Sequence, residues 1–212
     1  LVEGAWERGG RARAQLGGAP VPWTRLSLIS ASAKTWLESV AVLRKGVRDA
    51  HAGVLSGLDH ASAHAASDEA VAAGLAYRKE GRWFLDSSAL VEQLLSQMDS
   101  GRRSALHRAA AELLESQPGH DVDLSLVATL WTGAGEVSRA MAATLGAAEA
   151  RERAGDPVGT TSCYADALRL LGRGRTNRHA LRRKPAEALM RSGRYAAAAR
   201  AADMRVRHVV EA

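Results

Sequence analysis

The chain has little of what defines disulfide-rich, membrane-spanning or aromatic-rich proteins. Its 212 residues include one cysteine, Cys163, so a disulfide within the chain is excluded and a reducing, cytoplasmic location is expected. There is no run of 18 consecutive apolar residues, so the sequence predicts neither a membrane span nor a membrane partner. Aromatic residues make up only 4% of the chain. Ala and Leu must therefore fill most of the core, which favours closely packed helices over sheets. Four rings lie on apolar stripes and are predicted to be core anchors rather than a ligand cage: Trp36, Trp83, Phe84 and Trp131.

The sequence also lacks the short motifs that mark catalytic sites. It contains no phosphate-binding Gly-x4-Gly-Lys-Ser/Thr, no Gly-x-Ser-x-Gly and no His-Glu-x-x-His. We therefore expect no enzyme activity, cofactor or metal site in this chain. His60, His64 and Asp68 have the spacing of one helical face, but no fourth ligand is near them, and we interpret them as exposed polar residues. Cys163 has no neighbouring base and is predicted to be a packed thiol.

Three short helices and a hairpin are predicted in the first half of the chain. Apolar residues recur every three or four positions from Ser30 and predict a helix that Gly46 ends. Similar segments follow over 47–58 and over 62–74, the latter with Ser62 as its cap and Gly74 at its end. Two extended runs around a glycine-containing turn come next, over 75–85. This order is typical of a winged-helix domain, so we predict a connector over 1–24 and a winged-helix arm over 25–98.

The rest of the chain is predicted to form helices separated by glycine-containing turns. After apolar stripes over 90–98 and 106–114, helices are predicted over 124–131, 137–153, 160–171, 179–191 and 195–210. Short connections force successive helices to run antiparallel. Similar breaks at 134–136, 154–156 and 192–195 resemble tetratricopeptide turns, although their spacing is irregular. The predicted fold class is mainly α: a small winged-helix domain followed, over 99–212, by a tetratricopeptide-like array of antiparallel helix pairs.

Positive charge is concentrated at the end of the chain. The net charge is +6, yet residues 169–212 carry twelve basic residues against three acidic ones. One interpretation is a surface for an anionic partner, formed by Arg182, Arg183, Lys184, Arg191 and Arg194. The alternative, which we favour, is the solvated outer face of a repeat array. The helix that would read DNA in a winged-helix domain has two carboxylates and no Lys or Arg, so direct DNA binding by the arm is not expected.

Several segments resemble one family of regulators. The most specific is Arg102-Arg103-Ser104-Ala105-Leu106-His107-Arg108, continued by Ala-Ala-Ala-Glu-Leu-Leu over 109–114. Together with Gly81-Arg82-Trp83-Phe84 and the segments over 69–75 and 134–150, it resembles the middle of the MalT-type large ATP-binding LuxR-family transcriptional regulators of the STAND class. The resemblance covers about residues 20–200.

This resemblance implies a role in signalling. In that family a P-loop NTPase precedes the winged-helix arm, and a DNA-binding helix-turn-helix follows a helical-repeat sensor. The chain has neither flanking module, so we expect it to be a piece of a longer polypeptide, with any NTPase activity outside it. Its implied partners are those modules and a protein or small-molecule inducer on the helical-repeat face. The alternatives are a nucleic-acid-binding protein that uses the basic last third, and a stand-alone helical scaffold.

The chain departs from the family pattern just after the predicted hairpin. The family usually has His-Pro there, and the resemblance assigns that His to sensing bound nucleotide, whereas this chain has Asp86-Ser87. A carboxylate facing a phosphate would repel it, which argues against nucleotide sensing by this arm. Simple divergence, or a loop aligned out of register by a residue or two, is the alternative that we favour.

Overall fold

The chain is mainly helical, with one small antiparallel sheet. The structure is a computed structural model that describes residues 22–44, 46–117 and 122–170. Its elements are α1 (Pro22–Leu26), α2 (Ala31–Leu43), β1 (Val47–Arg48), α3 (Asp49–Ser56), α4 (His60–Ala72), β2 (Ala76–Lys79), β3 (Arg82–Leu85), α5 (Ser88–Gln97), α6 (Ser100–Glu115), α7 (Leu124–Gly133), α8 (Val137–Arg153) and α9 (Pro157–Leu170). Two compact units divide between Gln97 and Met98. Across the described ranges, no helix has both the length and the apolarity that a membrane crossing requires.

The sheet of the first unit has three strands, one more than the sequence predicted. The predicted hairpin is present as β2 and β3, and its two-residue turn is Glu80-Gly81, with positive φ at both positions. β1 pairs antiparallel with the other side of β3, which places Val47 opposite Trp83. The prediction that Val47 begins a helix was therefore wrong. A two-residue strand is too short to produce a periodic pattern, and its pairing depends on a strand far along the chain.

Two tryptophans join the helices of the first unit to its sheet. Trp36 of α2 and Trp83 of β3 meet edge to face, with ring centroids 5.1 Å apart. Both are buried, and the neighbouring Leu37 has no solvent exposure. The indole N–H of Trp83 donates to Asp49, which also accepts from Arg78. The prediction that Trp36 and Trp83 are core residues is confirmed.

Two predicted helix ends in the first unit were wrong. Leu43 ends α2, and Arg44 follows it in the left-handed region at φ 55°. Gly46 does not end that helix; a Cβ at Gly46 would lie 2.5 Å from the Phe84 ring, so it permits close approach of the chain to β3. The cap of α4 is Asp59 rather than Ser62, because the Asp59 carboxylate accepts from the Ser62 amide, and α4 begins earlier, at His60.

The end of α4 has the glycine that the sequence predicted. Gly74 has φ +65°, its amide donates to Val71 O, and the Leu75 amide donates to Ala70 O. This pair of bonds is the Schellman motif. The Arg25 guanidinium donates to the carbonyl oxygens of Ala73 and Gly74 at 3.2 and 3.0 Å, which ties α1 to the same helix end.

In the second unit, two helix-to-helix turns share one design. At 134–136 and again at 154–156, an Ala caps the preceding helix, a Gly with positive φ follows, and the next residue is acidic. Each turn has both Schellman hydrogen bonds. The helix-breaking role predicted for Gly135 and Gly155 is confirmed, and the third related turn, at 192–195, lies outside the described residues.

Helices α6, α7 and α8 of the second unit pack against each other in alternating directions. Near the start of α6, Ser104 donates to the carbonyl of Ala134, which follows the end of α7. At the start of α7, the Leu124 side chain lies so close to Gly146, in the second half of α8, that a Cβ at Gly146 would be 3.2 Å from it. Trp131 is fully buried, as predicted, and its indole N–H donates to Glu115 at 2.8 Å. The predicted bounds of α8 are confirmed, whereas α9 begins three residues earlier than predicted.

Candidate binding sites

The second unit contains a groove of about 450 Å³ between α7 and α9. Both helices pack on α8, which therefore forms its floor. Helix α7 lines the groove with residues 125, 128, 129 and 132, and α9 with residues 163, 166, 169 and 170. Thr144 and Ala147 line it from α8. Its volume lies within the range of about 300–1,000 Å³ that is usual for small-molecule sites.

Three threonine hydroxyls on the groove wall bond to the helix backbone. Thr129 donates to the carbonyl oxygen of Ser125 at 2.9 Å, and Thr132 donates to that of Ala128 at 2.8 Å. On α8, Thr144 donates to the carbonyl of Ala140 at 2.7 Å. Such bonds to the carbonyl four residues earlier hold each side chain in one rotamer. The groove wall is therefore ordered before any ligand arrives.

Cys163 lies in the groove as a buried, neutral thiol. Burial raises the pKa of its thiol, and this effect outweighs the opposing influence of the nearby Arg151 guanidinium. Reactive cysteines need a lowered pKa, so this environment favours a packing role, as the sequence predicted. The second unit thus offers a preformed groove without an activated nucleophile at Cys163.

Arg151 holds the turn between α8 and α9. Its guanidinium donates to Asp156 at 2.9 Å, and Asp156 also accepts from the Gly159 amide at the start of α9. These hydrogen bonds, the Gly159 bond first, lower the pKa of Asp156. A Cβ at Gly159 would lie 2.1 Å from the Asp156 carboxylate, so a larger residue there would force this bridge to shift. The bridge fixes the base of the groove's α9 wall.

A smaller pocket, of about 380 Å³, lies in the first unit and includes Asp86-Ser87. The Asp86 amide donates to Leu75 O, and the Ser87 hydroxyl accepts from the Leu90 amide at the start of α5. The charged residues that line this pocket are Arg44, Asp86 and Glu92, and Arg44 pairs with Glu92 at 3.2 Å. Two carboxylates against one guanidinium disfavour a phosphate in this pocket.

Comparison with known proteins gives no relative. No protein-family model, curated protein or solved structure matches the chain.

The residues of α4 that the sequence singled out make local contacts. The Glu69 carboxylate accepts from the Ser30 amide at 2.7 Å and from its hydroxyl at 2.5 Å, and these bonds lower the pKa of Glu69. His64 and Asp68 pair with each other at 3.0 Å on an exposed face. His60 begins the helix, and within the described part of the chain no group of three or more His, Cys, Asp or Glu could hold a metal ion.

The cations of the hairpin also contact their own unit. Arg78 pairs with Asp49, and its guanidinium lies 5.4 Å from the centroid of the Trp83 ring. Arg82 donates to the carbonyl of Gly46 at 3.1 Å. Beside them, Tyr77 and Phe84 stack with ring centroids 5.5 Å apart, and Phe84 is half-buried rather than in the core. These contacts use part of the hydrogen-bonding capacity that a phosphate would need.

The predicted anionic-partner surface lies outside the described residues. This applies to Arg182, Arg183, Lys184, Arg191 and Arg194, so the surface stays a prediction. The groove was not predicted, although the sequence contains a signal for it. Ser125, Thr129 and Thr132 have the spacing i, i+4, i+7 and form a hydroxyl-bearing stripe on α7, beside its apolar stripe.

Proposed function

We propose that the chain is the non-catalytic arm and sensor region of a LuxR-type ATP-dependent transcriptional regulator of the MalT type. On this proposal the first unit is the winged-helix arm, and the second is the beginning of a tetratricopeptide-like sensor. The resemblance of residues 102–114 and of the hairpin supports the assignment to this class. The observation that carries the sensing role is the groove between α7 and α9.

The arm would act through packing rather than by reading DNA. α4 contains neither Lys nor Arg. Its Glu69 is bound to Ser30, and the hairpin's Arg78 is bound to Asp49. A helix that reads bases needs donors that reach the groove edges, and phosphate contacts need unopposed positive charge. These features favour signalling between flanking modules over base-specific binding.

The second unit has the features that a sensor needs. Helix arrays bury their core between neighbouring helices and leave a face open for a partner. Here that face has a groove with a rigid hydroxyl-bearing wall and small apolar residues. We propose that an inducer binds in it, with no cofactor or chemical step in this chain. Signalling would follow from a change in how α7, α8 and α9 pack.

Thermal unfolding with a panel of small metabolites tests this function. A ligand present at about 100 times its Kd stabilises the folded state by about 2.7 kcal/mol, which corresponds to roughly 5–10 °C in Tm. The groove variant is Thr129→Trp, which places a large ring at an exposed groove position. The control is Ser138→Trp, at an exposed position of α8 that does not line the groove.

At least one compound should raise the Tm of the wild type and of Ser138→Trp but not that of Thr129→Trp. A panel without any such compound would contradict the sensing role. An equal increase in Tm in all three proteins would contradict the placement of the site in the groove.

A further inference from the structure

Three threonine hydroxyls of the groove wall present acceptors rather than donors. A threonine hydroxyl has one proton and two lone pairs. In Thr129, Thr132 and Thr144 that proton is donated to a backbone carbonyl of the same helix. Only lone pairs remain for a ligand. Because the wall offers hydrogen-bond acceptors, it favours a ligand that brings its own N–H donors.

A carboxylate on α9 further favours a ligand that carries positive charge. Asp166 lines the groove, and its partner in the structure is Arg169, one turn later. The Arg169 side chain is 77% exposed, so this ion pair is largely solvated and contributes little to stability. A cation in the groove can therefore take the place of Arg169 beside Asp166 at small cost. Arg169 itself can turn outward to solvent.

The rest of the lining fits an apolar body. Apolar residues lie among the polar ones: Ala128, Ala147 and Leu170. The Cys163 thiol beside them is neutral and only weakly polar. A ligand that is cationic at one end and apolar elsewhere matches both parts of the surface.

We propose that the groove between α7 and α9 selects a small organic cation, with an ammonium group that donates to Asp166 and the threonine oxygens and an apolar body against Ala128, Ala147 and Leu170. This inference rests on the proposed sensing function and names its ligand class. A carboxylate ligand would instead need Arg169 as its partner and would face the lone pairs of three threonines. The two classes therefore make opposite demands on Asp166 and Arg169.

Three probes with one carbon skeleton test the ligand class by isothermal titration calorimetry on the full chain: 4-phenylbutylamine, 4-phenylbutyrate and 4-phenylbutanol. The amine should bind at least about tenfold more tightly than the other two, since hydrogen bonds to charged groups contribute about 1.5–3 kcal/mol. Asp166→Asn should weaken the amine about tenfold. Arg169→Gln should strengthen it, because it removes the competing guanidinium.

Matched controls separate binding from folding. Thr132→Val keeps the shape of the side chain but removes an acceptor, and we expect a loss of about threefold to tenfold in amine affinity. Its control is Thr161→Val, since Thr161 also donates to the carbonyl four residues earlier but does not line the groove. The control for Asp166→Asn is Glu149→Gln, at an exposed position of α8 away from the groove. Neither control should change amine affinity.

Two binding results overturn the ligand class, and so do two outcomes without probe binding. One is a carboxylate probe that binds as tightly as the amine and is weakened by Arg169→Gln. The other is an amine whose affinity is the same in the wild type, Asp166→Asn and Thr132→Val. If no probe binds while the metabolite panel finds a groove ligand, the ligand class is wrong and the sensing function stands. If nothing in the panel or among the probes binds, both proposals fail.

Discussion

Gly133 is a position where replacing glycine by alanine should destabilise a helix. It is the last residue of α7, and an ideal Cβ there would lie 2.7–2.8 Å from three ring atoms of His107. His107 is only 7% exposed, so its ring has little room to move. Overpacking of this kind costs about 1–3 kcal/mol, whereas the higher helix propensity of Ala returns at most about 1 kcal/mol. Gly133→Ala should therefore destabilise the second unit by about 1–2 kcal/mol.

Gly53 supplies the opposite case. It lies inside α3, and no atom comes within 4 Å of an added Cβ. Gly53→Ala should stabilise the first unit by about 0.5–1 kcal/mol, because alanine restricts the unfolded chain and favours the helix. Urea unfolding followed by circular dichroism measures both variants, and the free energy of unfolding is compared with that of the wild type.

A double-mutant cycle isolates the predicted clash. When His107→Ala removes the ring, Gly133→Ala should become neutral or stabilising, so the two substitutions should couple by at least about 1 kcal/mol. Additive effects, or a Gly133→Ala variant as stable as Gly53→Ala, would refute the account of how α6 packs on α7.

Three further predictions concern charge, the thiol and a helix cap. The pKa values of Glu69 and Asp156 are lowered in the folded state, so the stability that these carboxylates contribute is present at neutral pH and is lost as the pH falls through their folded-state pKa values. Glu69→Gln should therefore make the free energy of unfolding fall less steeply with acidification, and an unchanged pH dependence would contradict this. Cys163, the single cysteine, should react with a thiol reagent at pH 8 at least about tenfold more slowly in the native chain than in urea, because burial raises the pKa of its thiol. Equal rates would show that the thiol is accessible to the reagent in the native chain. Asp99 caps α6, and its side chain accepts from the amides of Gly101 and Arg102. Asp99→Ala should therefore lower the free energy of unfolding in urea by about 1 kcal/mol, and no change would show that the cap is dispensable.

Local signals in the sequence located most of the helices and the hairpin. The apolar spacing around Trp36 predicted α2, and the glycines at 74, 135 and 155 predicted helix ends that the structure has as left-handed turns. Such features depend on a few neighbouring residues, so one segment of sequence contains enough information.

Features that depend on distant residues were not predictable in the same way. β1 exists because Val47 pairs with Trp83, and Gly46 is needed because Phe84 approaches its backbone. The groove is a similar case, since α7 and α9 come together only by packing on α8. The hydroxyl stripe on α7 could be seen in the sequence, but the residues that face it could not.

An NMR titration of the isotope-labelled chain tests whether the groove of the second unit is a ligand site. The titrant is the compound that most raises the Tm. If the compound binds in the groove, the largest amide shifts should fall in residues 125–132, 144–147 and 163–170, which contain the groove lining. Shifts concentrated in the first unit, or spread evenly over both units, would show that the groove is not the site.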